Sequence, residues 1–144
     1  MKNNPIREKS YAFALRIVKM CKWLANVMGE KVLMRQVLRS GTSVGANVEE
    51  AIGSYSEREF ASKMQIAYKE ALETRYWLRL LHDSQTLDDK TFDSINADCE
   101  EIVTLLSSIT KTLRAKGQAN EVREDEMLYF TDGEKPPCIS IPNS

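Results

Sequence analysis

From residue 6 to residue 116 the chain contains no proline, and the four glycines in that span (29, 41, 45 and 53) all fall between Met28 and Ser54. No part of the span shows sustained two-residue alternation of apolar and polar side chains. Half-buried strands require that alternation, bounded by turn residues, so the span is restricted to helices.

Apolar spacing resolves it into four. The first helix is predicted from about Pro5 to Met28. Asn4 supplies an N-cap, and proline suits the first helical position because its missing N–H would have no partner there. Ile6, Phe13, Ile17, Cys21, Leu24 and Met28 recur with a helical period, and Gly29 is the stop signal. The second helix is predicted from Lys31 to Ile52, with Leu33, Val37, Gly41, Val44, Val48 and Ile52 on one stripe. Its centre, Ser40 to Asn47, is built of small residues. A glycine inside a helix costs roughly 1 kcal/mol against alanine. Gly41 and Gly45 therefore imply close approach of a neighbouring helix, with a functional pocket as the alternative.

Ser56 and Glu59 have capping-box spacing and open the third helix, which should reach about His82. Its core stripe is Phe60, Met64, Ala67, Ala71, Leu78 and Leu81. Ile66, Tyr68, Leu72, Tyr76, Trp77 and Leu80 lie off that stripe. A helix apolar on more than one face needs a second partner. Tyr68, Leu72, Tyr76, Trp77 and Leu80 are therefore expected to form an oligomer interface. The fourth helix should begin near Asp88 or Asp89. Phe92, Ile95, Cys99, Ile102, Leu106, Ile109 and Leu113 then alternate steps of three and four, a coiled-coil-like seam, and Gly117 is expected to end it.

The short connections force each helix to run antiparallel to the last. The expected fold is all-α, an up-down antiparallel four-helix bundle over residues 4–117. Residues 118–144 hold three of the four prolines, an acidic run (Glu121 to Glu126) and an apolar island (Met127 to Phe130). An irregular acidic tail is expected there.

At 144 residues and 42% hydrophobic, the chain suits one domain with its own core. No stretch without a charged residue exceeds nine residues, and a membrane helix needs about 20 apolar ones. The N-terminus lacks the apolar run of a secretion signal. Cys21, Cys99 and Cys138 are an odd number with no close pair, which fits a reducing compartment. A cytoplasmic protein without membrane contact is expected.

The formal net charge is −1, but residues 1–39 carry +7. Lys9, Arg16 and Lys19 fall on one side of the first helix, and Lys31, Arg35 and Arg39 on one side of the second. Consecutive antiparallel helices could merge the two rows into one patch. Such a patch would hold phosphates of RNA, DNA or a nucleoprotein without reading bases. The bland alternative is a set of solvated helix faces.

Reactive constellations are harder to find. Di-metal bundles use Glu-x-x-His, but residue 79, three before the single histidine His82, is arginine. Cys21 and Cys99 sit on apolar stripes, and no second histidine exists to form a relay. Glu49, Glu50, Glu59, Glu70 and Glu73 read as solvated helix carboxylates. The glycine spacing is not that of a phosphate-binding loop. No catalytic, metal or cofactor site and no small-molecule substrate are expected. Asn47 flanks the second stripe, either as a buried amide fixing helix register or as a binding residue among small neighbours.

Three strings carry a resemblance: Leu38-Arg-Ser-Gly-Thr-Ser-Val-Gly-Ala-Asn-Val-Glu-Glu-Ala51, Ser56-Glu-Arg-Glu-Phe60, and Lys63 through Leu81. Together they resemble the bacterial four helix bundle protein family, also called the 23S rRNA intervening-sequence protein or S23 family. The likeness covers about residues 4–116. It implies an up-down bundle, a cytosolic location, a ring-shaped homo-oligomer that is often a pentamer, and no established enzymatic activity. The accessory proteins of diversity-generating retroelements look similar, and the likeness to them implies nucleic-acid binding. This chain has Val48-Glu49-Glu50-Ala51 where the family commonly has Ile-Ala-Glu-Gly, and it lacks the strongly basic charge of those accessory proteins.

Overall fold

The computed structural model describes residues 3–131, with side chains up to Met127. It contains four α-helices: α1 (Pro5–Trp23), α2 (Val32–Ile52), α3 (Glu57–Asp83) and α4 (Asp89–Thr131). Among the described residues there is no strand. The chain divides into two compact units, Met1–Lys111 and Thr112–Ser144.

Local chemistry sets the boundaries. The Asn4 side chain accepts from the Arg7 N–H, with Pro5 just inside the helix. Ser56 Oγ accepts from the Glu59 N–H at 3.0 Å, and the Glu59 carboxylate accepts from the Tyr55 N–H at 3.4 Å. The reciprocal cap forms one residue earlier on its return arm than the sequence pattern implies. Glu30 caps the start of α2 by accepting from the Leu33 N–H at 2.9 Å.

The first helix differs from expectation at its end. After Trp23 the backbone widens into a π-helical turn, Leu24–Met28, closed by Gly29 at φ 68°. The wider turn breaks the 3.6-residue register. Met28, placed on the core stripe by its spacing, is 48% exposed. Ile6, Phe13, Ile17, Cys21 and Leu24 are buried as that stripe requires.

Each helix in the first unit touches its two neighbours in a closed cycle. The Ile17 side chain lies so close over Gly41 that a Cβ there would sit 2.9 Å from its Cγ1 and Cγ2. One on Gly45 would sit 3.3 Å from the Ser10 carbonyl oxygen. The glycines of α2 thus admit α1 at close range, the packing reason their cost implied. The α2 and α3 helices meet at Ser40 and Thr74, both buried, with hydroxyl oxygens 2.9 Å apart. The α3 and α4 helices meet where the Cys99 thiol donates to the Ala71 carbonyl. Arg16 pairs with Asp98 to join α4 to α1. This cycle puts α1 and α3 on one diagonal and α2 and α4 on the other, the up-down bundle.

The seam of α4 is buried at Ile95, Cys99, Ile102 and Leu106. Phe92 and Ile109 are half-buried. Phe92 stacks on His82 at a centroid distance of 4.1 Å. Between α3 and α4, Gln85 adopts a left-handed φ of 64°, and the N–H groups of Thr86 and Leu87 both return to the Leu81 carbonyl. This closure folds Leu87 into the core at 2% exposure.

The expected stop at Gly117 is not observed: helix continues through it to Thr131. Gly117 meets nothing within 4 Å. Its neighbours Leu113, Arg114, Ala115, Lys116, Gln118 and Ala119 are good helix formers and offset one glycine. Within the second unit, residues 112–127 are exposed apart from half-buried Leu113 and Asn120. Residues 118–131, expected to be irregular, are therefore helical. The remainder of the tail and the side chains of Leu128 to Phe130 lie outside the described residues.

Candidate functional site

The six cations of the two basic rows separate into two groups. Lys9 pairs with Glu101 and Arg16 with Asp98, both on α4. Arg16 also donates to Ser94 Oγ at 2.7 Å. Arg39 pairs with Glu70 and Glu73 on α3. These three stitch helix to helix, on the α4 side of α1 and on the α3 side of α2. Lys19, Lys31 and Arg35 are exposed and have no acidic partner among the described residues. The same holds for Lys22. All four belong to the end of the bundle where α1 finishes and α2 begins.

On α3, Tyr76 is 54% exposed, while Tyr68, Leu72, Trp77 and Leu80 are half-buried. Tyr76 and Trp77 pack edge to face at 5.0 Å, and the Trp77 indole N–H donates to Glu73 at 3.3 Å. These side chains occupy the flank of α3 away from its buried stripe of Met64, Ala67, Ala71, Thr74, Leu78 and Leu81. A second apolar row lies on α1 and was missed in the sequence: Tyr11, Leu15 and Trp23, followed by Val27, Met28 and Val32, are all exposed. The four-residue steps from Tyr11 through Leu15 and Lys19 to Trp23 were legible, whereas the π-turn that exposes Met28 was not.

The interior offers little reactivity. Desolvation raises the Cys21 thiol to about 11 and the Cys99 thiol to about 12, so neither is a thiolate near neutrality. Among the described residues no group of three His, Cys, Asp or Glu side chains is arranged to hold a metal, and no helix is long and apolar enough to cross a membrane. Asn47 is half-buried, and its amide donates to the Ser43 carbonyl at 2.8 Å and to Ser43 Oγ at 3.1 Å. It is tied to its own helix, so it does not fix register against a neighbour. The buried polar contact between helices is Ser40 with Thr74, which sequence reasoning overlooked. Both positions fall at core spacing, three residues after Val37 and Ala71 and four before Val44 and Leu78.

His82 joins α3 to the start of α4, with Nε2 2.7 Å from Asp89. That hydrogen bond, aided by the charges of Asp89, Asp83 and Asp93, raises its pKa above the ordinary value against the opposing effect of burial. A histidine raised on folding stabilises fully below its unfolded pKa of about 6.5 and loses that contribution as pH climbs through the folded value. The urea midpoint should therefore decline as pH is raised from about 6.5 upward through the folded value. In His82→Gln that part of the pH dependence should vanish, with unfolding followed by circular dichroism.

The description "23S rRNA-intervening sequence protein" belongs to a family whose sequence pattern matches residues 2–108. A crystal structure of a protein of unknown function from Bacteroides thetaiotaomicron VPI-5482, described as from the S23 ribosomal protein family, superposes with a TM-score of 0.72 at 47% identity. The match covers 74% of this chain and 98% of that one. No protein with a curated description matches the chain. Neither of the two descriptions names an enzyme. A pattern spanning the helices from α1 through most of the α4 seam, with a relative nearly half identical, makes the chain a member of the 23S rRNA-intervening sequence protein family.

Proposed function

We propose that this chain is a non-catalytic, self-associating, cytoplasmic bundle that binds nucleic acid through the cations left free where α1 meets α2. One observation carries the reading: Lys19, Lys31 and Arg35 are exposed without acidic partners among the described residues, whereas Lys9, Arg16 and Arg39 are consumed by ion pairs. Unpaired cations release phosphate counterions on binding, and paired ones must first give up an acid. The family's description and the relative's, one mentioning rRNA and the other a ribosomal protein family, agree with this reading without naming a ligand. Self-association follows from the outer face of α3, with Tyr68, Leu72, Tyr76, Trp77 and Leu80 against a second copy. A pentamer is the assembly the family resemblance implies.

A second reading, a protein scaffold indifferent to nucleic acid, is favoured by the two apolar rows on α1 and α3. Binding of a short labelled oligonucleotide, followed by anisotropy across a salt series, separates the two. Three or four phosphate contacts should give a slope of log K against log salt of about −2 to −3 for a single strand. Absence of binding to RNA and DNA at about 50 mM salt would leave the scaffold. Sedimentation should give a mass near five times 16.4 kDa, falling in Tyr76→Lys; a monomer at every concentration contradicts the assembly.

A further inference from the structure

We propose that the nucleic acid taken at this corner is single-stranded, with Trp23 as the platform on which an unpaired base stacks. Lys19, Lys22, Lys31 and Arg35 hold the adjoining phosphates. The proposal rests on the nucleic-acid reading above and adds the class of strand.

Three observations converge on Trp23. First, its indole is 45% exposed and has neither a hydrogen bond nor a ring partner among the described residues. Trp77, by contrast, is held by Tyr76 and Glu73. A buried tryptophan N–H usually finds a partner within the fold, whereas the Trp23 indole is left open to solvent. Second, Lys19 precedes Trp23 by four residues on the same helical row, and side chains so spaced are neighbours, about 5–6 Å apart at Cβ. A cation one turn from an open π-face is the complement of one nucleotide, which carries its phosphate and its base at a comparable separation. Third, the π-helical turn begins at the next residue and turns Val27 (62% exposed) and Met28 (48%) outward, while Val32 (72%) opens α2. These side chains give the corner an apolar rim suited to a base and its sugar. Glu30, the acid in the link between the two helices, is occupied in capping the Leu33 N–H.

The strand class follows from what a base must expose to stack. In a duplex the base faces are already covered by their neighbours, and only phosphates would reach the lysines. A single strand can turn a base onto the indole while its backbone follows the cations. An acidic peptide would satisfy the charges but would leave the indole face without a matching group.

The test uses the full chain and four probes: a labelled oligouridylate, a duplex of the same length, the unlabelled oligonucleotide as competitor, and polyglutamate as competitor. The single strand should bind more tightly than the duplex. Trp23→Ala should weaken single-strand binding by roughly 5- to 100-fold, and Trp23→Phe should retain most of it. In a Trp77→Phe background, where Trp23 is the sole indole, its emission should be quenched on binding. Circular dichroism of each variant keeps a loss of fold from being read as a loss of stacking. Duplex binding as tight as single-strand binding, with Trp23→Ala unchanged, overturns the proposal and leaves simple phosphate contact. Polyglutamate competing as well as the oligonucleotide overturns it in favour of an acidic protein partner. Failure of every probe to bind removes the nucleic-acid reading itself, and this proposal with it.

Discussion

Leu106→Ala should lower the free energy of unfolding by about 2–5 kcal/mol. Leu106 is fully buried in the α4 seam, between Ile102 at 1% exposure and Thr110 at 5%. Truncation removes a transfer contribution and leaves a cavity that helices each packed against two neighbours fill only in part. Urea unfolding followed by circular dichroism measures it. A loss below about half a kcal/mol, the range of ordinary surface substitutions, would mean that the seam does not face the core.

Gly41→Leu should abolish cooperative folding. An added Cβ alone would lie 2.9 Å from two carbons of the buried, β-branched Ile17 side chain. That side chain has no room to retreat, since Ile17 is itself fully buried. Overpacking typically costs about 1–3 kcal/mol, and leucine adds three further carbons in the same direction. Gly41→Ala should show the smaller version of the same effect, the roughly 1 kcal/mol gain in helix propensity being offset by the clash. Gly117→Ala is the control. With open space around it and helix on both sides, it should be neutral or raise helicity. A Gly41→Leu chain that unfolds as sharply as the parent would refute the close approach of α1 to α2.

The bundle was legible because its determinants are periodic. Val37, Val44, Val48, Ile95, Ile102 and Leu106 follow helical spacing and are all buried. Breaks in that period were not legible. The π-turn at Leu24–Met28 carries no unusual residue, so Met28 was placed inside when it lies out. The left-handed turn at Gln85 lacks the glycine that usually marks one, so buried Leu87 went unnoticed. Gly117 gave the opposite error, because a glycine with α-helical neighbours costs too little to stop a strong helix. The cations were found by type and spacing, but spacing along one helix does not reveal the acid on the next. Glu101, Asp98, Glu70 and Glu73 lie far from Lys9, Arg16 and Arg39 in sequence and beside them in space.

One comparison tests that division of the cations directly. Two triple variants, Lys19→Glu with Lys31→Glu and Arg35→Glu, and Lys9→Glu with Arg16→Glu and Arg39→Glu, change net charge by the same amount. Long-range electrostatics therefore falls equally in both, and only local placement differs. Measured against the same single-stranded oligonucleotide at the same salt, the first set should abolish binding while leaving the urea midpoint near that of the parent. The second should lose stability, because it sets Glu against Glu101, Asp98, Glu70 and Glu73, and should keep measurable affinity wherever it remains folded. Equal loss of binding in two equally folded variants would contradict the account.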